Sequence, residues 1–155
     1  MLARPIKAAT KPRRPNWLRR RLARWPLLLY RSGLGFLVGR QVMVLSTTGR
    51  TTGKVRETPL WYVRQGDTVY CLSGWGRSSD WWRNVQATPN ALVRIGRRAW
   101  QTQGTRLDDP PERERLLSLF LKKYGRLGHL VFRLDEICLV AFPLTAQTLS
   151  QPHSR

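Results

Sequence analysis

The residues best suited to chemistry lie between Leu45 and Val85. An apolar run, Val42 to Leu45, breaks into a small, hydroxylated and glycine-bearing stretch that carries Arg50, Lys54 and Arg56. Gly49 and Gly53 permit positive-φ turns and close backbone approach, the Ser/Thr residues supply short donors, and the three cations can neutralise an anion. That combination describes a phosphate site. It also describes an ordinary basic hairpin turn, and a short Gly-rich loop does not choose between the two.

The surrounding elements add to the phosphate reading. Thr58-Pro59-Leu60-Trp61-Tyr62-Val63 is β-rich, and Pro59, which lacks a ladder donor, predicts an edge or a strand start. The chain turns at Gln65-Gly66-Asp67 and returns as Thr68 to Ser73, a β-hairpin pattern. A second loop, Gly74-Trp75-Gly76-Arg77, leads through Ser78 and Ser79, either of which can cap a short helix starting at Asp80 and Trp81. Two glycine-bearing loops thus flank a hairpin and meet an aromatic helix start. A flat anionic ligand fits there, its ring against tryptophan and proline, its phosphate against arginine and backbone amides.

The segments TTGRTTGKVRETPLWY and LSGWGRSSDWWRNVQATPNALVRI resemble the deazaflavin-dependent nitroreductase and quinone reductase family, small proteins that use coenzyme F420. The resemblance covers Val42 to Leu107, and the order of its motifs carries it more than any single piece does. It implies an α+β fold, a mainly antiparallel split β-barrel of the FMN-binding type, with flanking helices. It also implies hydride transfer from reduced F420 to a quinone, nitroaromatic or similar lipophilic acceptor. By motif, Arg50, Thr51, Thr52, Gly53 and Arg56 fall where the family holds the coenzyme's phosphate and acidic tail, and Pro59, Ser73, Trp81 and Asn84 where it holds the ring. Many relatives have lysine at the place of Thr51, a charge that Lys54 can restore. Gly74 and Trp75, in the loop after the hairpin, complete the expected coenzyme site. The family often places a tyrosine near the acceptor, for which Tyr124 is the match; Leu127 and His129 stand where some relatives have further tyrosines. Tyr124, Trp61 and Trp75 equally suit plain aromatic packing. FMN in the same barrel is the alternative coenzyme.

The remaining composition narrows the function. Lys and Arg total 28 against 9 acidic residues, a formal net charge of +19. The first 40 residues hold 11 of those cations and no acid. Residues 1–15, with Pro5, Pro12 and Pro15 among the charges, read as a disordered basic tail. Residues 16–40 read as a basic amphipathic helical segment from a cap at Asn16, with Leu18, Leu22, Trp25 and Leu29 on one face and Pro26 kinking or splitting it. Three roles stay open for this segment: packing on the domain, lying on an anionic membrane surface, or attracting nucleic acid phosphates without sequence preference. Arginines interrupt every apolar run well short of the ~18 residues a spanning helix needs, and no secretory cleavage pattern stands out. The expectation is a cytoplasmic protein, peripheral on the inner face of the membrane.

Residues 41–145 read as the barrel domain. Strands are predicted at 91–95 and 99–103, a helix capped by Asp108-Asp109-Pro110-Pro111 and ending before Gly125, and a last strand at 137–142 closed by Pro143. Residues 146–155 read as a loose tail. Cys71 and Cys138 suit buried packing in a reducing compartment, and His129 and His153 are too isolated for a metal site. No paired carboxylates, GxSxG elbow or Walker loop occurs, which excludes the common hydrolase and nucleotide triphosphatase designs. Hydride transfer needs none of them, because the coenzyme carries the chemistry.

Overall fold

A computed structural model describes residues 25–125 and 137–144. The basic tail, Asn16, Leu18, Leu22, Leu127, His129, His153 and the carboxyl-terminal tail lie outside the described residues. Among those described, the elements are α1 Trp25–Arg31, α2 Gly35–Val38, β1 Val42–Thr48, β2 Val55–Gln65, β3 Thr68–Ser73, a 3-10 turn Gly76–Ser78, α3 Asp80–Ala87, β4 Asn90–Ile95, β5 Arg98–Gln103, β6 Thr105–Leu107, α4 Pro110–Tyr124 and β7 Cys138–Pro143.

The strands form one antiparallel sheet in the order β5-β4-β1-β2-β3-β7-β6. The two end strands, β5 and β6, are consecutive in the chain and joined through Gly104. The sheet therefore curls until its edges meet, with Thr102 Oγ1 of β5 donating to Pro143 O of β7 at 2.5 Å. This is the split β-barrel. Strand β6 has no alternating pattern of its own; its pairing with β7 makes it a strand.

The long β2 strand pairs with β1 over Val55 to Trp61 and with β3 over Tyr62 to Gln65. Pro59 sits inside β2, not at its start, in the half that is paired on one side only. A missing N–H is tolerated there. Alternation along β1 sends Met43, Leu45 and Thr47 inward and Val44 outward. The barrel core gathers Met43, Leu45, Leu60, Val69, Trp100 and Phe142, together with Trp81, Trp82 and Val85 from α3. Helix α4 covers the outer face through Leu116 and Phe120 on Val63, Leu72 and Leu139. Its amino end is capped by Asp109, which accepts from Glu112 N, and its carboxyl end by Gly125 at φ 56°.

Helix α1 packs on the barrel. Leu27 and Tyr30 are buried against Val44, whereas Leu29 is only partly buried. Tyr30 decides the rotation, because its hydroxyl donates to Val42 O at 2.6 Å and accepts from Gly96 N at 3.2 Å. The chain breaks after α1 at Gly33, φ 77°; the expected break at Pro26 concerns the residues before Trp25, which lie outside the described ones.

Candidate functional site

The Gly49–Lys54 loop closes on itself. Gly49 N donates to Lys54 O at 2.8 Å and Gly53 N to Gly49 O at 2.7 Å, with Gly53 at φ 65°. A Cβ on Gly49 would stand 2.9 Å from Thr52 Oγ1 and 3.1 Å from Lys54 O, so this turn requires glycine at 49. The loop presents Arg50, Thr51, Thr52, Gly53, Lys54 and Arg56 on the surface.

Arg50 ties this loop to α3. Its backbone N–H and Nη1 both donate to Asn84 Oδ1 at 3.2 Å, and its guanidinium lies 3.4 Å from Asp80 Oδ1. Asn84 is 4% exposed and passes the connection on, Nδ2 donating to Thr47 Oγ1 at 3.2 Å. Thr47 pairs across β1–β2 with Arg56, and opposed residues share a sheet face. Arg50, Arg56, Thr47, Asp80 and Asn84 therefore converge at one mouth of the barrel. Asp80 and Asn84 are one helical turn apart on α3, which is why both reach Arg50. Thr47 and Asp80 were not expected in the site. The inward parity of Thr47, two and four residues past Leu45 and Met43, is the signal that could have marked it.

The second loop is braced from inside. Ser73, 1% exposed, donates to Gly76 O at 2.7 Å, so the short Ser73–Ser79 hydroxyl contact is donated by Ser79. Ser79 occupies the N-cap position of α3 but makes no side-chain cap hydrogen bond; its hydroxyl is turned to Ser73 instead. Ser73 thus shapes the loop rather than offering a free hydroxyl. Trp81, 6% exposed, belongs to the core, while Trp75 is 48% exposed. Of the two tryptophans predicted to meet a ring, Trp75 presents a surface and Trp81 supports α3 from below. Gly74, beside it, is partly exposed. Pro59 shares the outer sheet face with Val44, the face that α1 covers, and stands apart from Arg56 and Asn84.

Tyr124 is also elsewhere. Its ring stacks on Trp61 with centroids 4.6 Å apart, and its hydroxyl accepts from Tyr62 N at 2.9 Å while facing Tyr62 O and Gln41 O at 2.8 and 2.7 Å. Gln41 precedes β1 and Arg50 follows it, so the two places are separated by the strand's length, roughly 20 Å. The hydroxyl is committed to backbone, and burial raises its pKa. It fastens the end of α4 to β2.

Beside it, Lys123 Nζ donates to Tyr62 O at 2.8 Å and lies 3.9 Å from the Tyr62 ring centroid. Desolvation lowers its pKa from 10.5 to about 8. Between those values the unfolded chain binds the proton and the folded chain does not, so stability rises with pH across that window and the gain is lost as pH falls through 8. Tyr30, Tyr62 and Tyr124 act oppositely: burial raises each above 10.0, so their contribution is complete below 10 and declines above it. Burial also raises the Cys71 and Cys138 thiols above 9.0, so their contribution declines from about pH 9. Thermal melts should therefore show Tm climbing from pH 8 toward 9 and then falling, with the climb flattened in Lys123→Gln.

The mouth residues fit an elongated anionic coenzyme. Among the described residues Lys54 and Arg56 make no ion pair, and Arg50 is neutralised only by the 61%-exposed Asp80 side chain. Hydroxyls of Thr51 and Thr52 adjoin these cations on a loop whose glycines admit close approach. No cluster of His, Cys, Asp or Glu that could hold a metal occurs among the described residues.

The family model for F420H(2)-dependent quinone reductase matches residues 30–130. An F420H(2)-dependent quinone reductase of Mycobacterium tuberculosis is 35% identical over 57 residues, which span 35% of this chain and 38% of that relative. A solved F420-H2 dependent reductase superposes with a TM-score of 0.57 at 24% identity, covering 66% of this chain and 94% of the other. The heme storage protein HutZ from Vibrio cholerae superposes at 0.62 with 12% identity, over 79% and 94% of the two chains. These structural likenesses show the fold, whereas the family match reaches from Tyr30 through the whole Arg50–Asn84 junction to beyond α4. This chain belongs to the F420H(2)-dependent quinone reductase family.

Proposed function

We propose that this protein is an F420H2-dependent oxidoreductase that passes a hydride to a quinone or a similar lipophilic acceptor such as a nitroaromatic. The observation carrying the reading is the junction in which Arg50, Asn84 and Thr47 join the Gly49–Gly53 loop to α3. Bound at this mouth, the coenzyme would supply the hydride. Arg50, Lys54 and Arg56 hold its phosphate and acidic tail, with Thr51, Thr52 and the Gly53 backbone as neutral donors. Asn84 fixes the direction of Arg50. Gly74 and Trp75 flank the ring, on a loop kept in shape by Ser73, with Trp81 holding α3 beneath it. Tyr124 acts at a distance, as a positioning residue that fixes α4.

Incubation of the purified protein with F420H2 and menadione tests the reading, and coenzyme oxidation well above the protein-free rate is the expected result. Absence of oxidation with menadione and with a nitroaromatic contradicts it. A flavin absorption spectrum in the purified protein would point instead to FMN.

The amino-terminal part of the barrel supports a peripheral membrane association. Leu28, Leu34 and Leu37 are 68%, 42% and 63% exposed on α1 and the segment around α2, next to exposed Arg31 and Arg40. Apolar side chains beside cations match an anionic lipid surface, which is also where a lipophilic quinone resides. No described helix is long and apolar enough to cross a membrane. In this reading a barrel domain over residues 41–145 meets lipid through the exposed leucines of residues 25–40. Co-sedimentation with phosphatidylglycerol vesicles should fall in Leu28→Gln/Leu37→Gln; equal sedimentation of both proteins argues against this attachment.

A further inference from the structure

A second basic cleft lies on the other side of α3. It has a volume of about 490 Å³ and is rimmed by Arg77, Arg83, Arg106 and Arg113, with Asp108 as the one carboxylate among its lining residues. The arginines come from the 3-10 turn, α3, β6 and α4, so the curl of the barrel alone brings them together. None of residues 49–56 lines the cleft. Arg83 precedes Asn84, so it projects from α3 about 100° around the helix from the side chain that meets Arg50.

The guanidiniums are held in place without being used up. Arg83 Nε donates to Arg77 O at 2.8 Å, Arg113 Nη2 to Ile137 O at 2.9 Å, and Arg106 Nε to Asp108 Oδ1 at 2.6 Å. Arg106 also lies over the Trp82 ring, 5.9 Å from its centroid. Each guanidinium carries five N–H donors, so several on every arginine stay open to an incoming acceptor. The floor is different in kind: the partly exposed Leu107 over the buried Ile137 and Leu139, with the partly exposed Cys138 thiol beside Arg77. Four like charges around one concavity repel each other and focus a positive potential into it. The volume is that of a small-molecule pocket rather than a groove for a chain.

We propose that this cleft is a second anion site, separate from the Arg50 mouth, which takes a small molecule bearing at least two negative charges, carboxylate or phosphate, on a short apolar body. The charges meet Arg83 and Arg106 across the opening, and the body rests on the partly exposed Leu107. Arg77 and Arg113 close the ends.

Calorimetric titration of the full chain with citrate and with pyrophosphate, at constant ionic strength set with chloride, tests the site. The expected result is saturable binding of at least one of them. Loss of one charge-assisted contact should weaken it about tenfold in Arg106→Gln and in Arg83→Gln. Arg50→Ala should bind the anion as the unaltered chain does, and Arg106→Gln should keep its affinity for F420. Alkylation locates the occupant, because Cys71 is fully buried and Cys138 is not, so citrate or pyrophosphate should slow modification of Cys138. The proposal is overturned by absence of saturable binding, by affinity unchanged in both arginine variants, or by citrate displacing F420 competitively. The last outcome would make the cleft part of the coenzyme's own site.

Discussion

Replacing Asn84 by leucine should weaken F420 binding about tenfold to a hundredfold and cost about 1–3 kcal/mol of folding stability. Leucine has nearly the right size, so the core that α3 shares with Trp81, Trp82 and Val85 survives. What it lacks is polarity. Thr47 Oγ1, 2% exposed as a residue, loses its donor, and the Arg50 N–H and Nη1 lose the acceptor that fixes them. The guanidinium then keeps only its contact with Asp80, and the Gly49–Gly53 loop is no longer bound to the helix. Aspartate separates the two effects. Asn84→Asp restores an acceptor for Arg50 and another for the Thr47 hydroxyl, so stability should recover, measured by chemical denaturation. It also neutralises Arg50 at close range, so coenzyme affinity should stay low. Full recovery of both would show that Asn84 matters only as a strut.

This residue also marks the limit of what the chain discloses on its own. Asn84 and Arg50 belong to one legible motif set, yet their contact arises only when β1 and α3 are packed, and nothing local specifies it. Local chemistry was easier to read. The Gln65-Gly66-Asp67 turn, with Gly66 at φ 55°, and the Asp109 cap with its two prolines follow from short-range rules and stand where expected. Pro59 lies where β2 is paired on one side only, as an edge residue should, but inside the strand, because the exchange of partners along β2 has no sequence signature. Trp81 was placed at the ring by its motif position, and in the fold its side chain packs into the barrel core. Tyr124 matched a motif position, but the backbone of β2 and Gln41 claims its hydroxyl. The arginine cleft could not be foreseen, since its four cations come from four elements that only the closure of the barrel brings together.

Gly104→Ala should destabilise the barrel by about 1–3 kcal/mol, the scale of overpacking in a filled core. The chain leaves β5 and enters β6 at this residue, with Gly104 N donating to Pro89 O at 2.9 Å. A Cβ here would stand 2.6 Å from Val85 Cγ1, 2.7 Å from Phe142 Cε1 and 3.1 Å from Val140 Cγ1. All three neighbours are buried, Phe142 and Val140 at 0% exposure and Val85 at 2%, so none can retreat into solvent. The added methyl must push β6 away from β7 or α3 away from the corner. Val85→Ala opens space beside it. The double variant Gly104→Ala/Val85→Ala should therefore lose less stability than the sum of the single changes, by urea denaturation. Strict additivity would mean that the corner has slack, and that closure does not depend on the missing side chain. Because Val85 and Asn84 are neighbours on α3, strain at Gly104 should also reach the Arg50 junction and weaken coenzyme binding with the catalytic mouth itself unaltered in sequence.

A fluorescence titration with F420 most directly tests the role proposed for the mouth where the Gly49–Gly53 loop meets α3. For the unaltered chain the titration should saturate, and Arg50→Ala and Arg56→Ala should each bind about tenfold to a hundredfold more weakly, the worth of one charge-assisted contact. Equal affinity in the parent and both variants, with their folds intact by circular dichroism, would contradict the assignment of this mouth to the coenzyme.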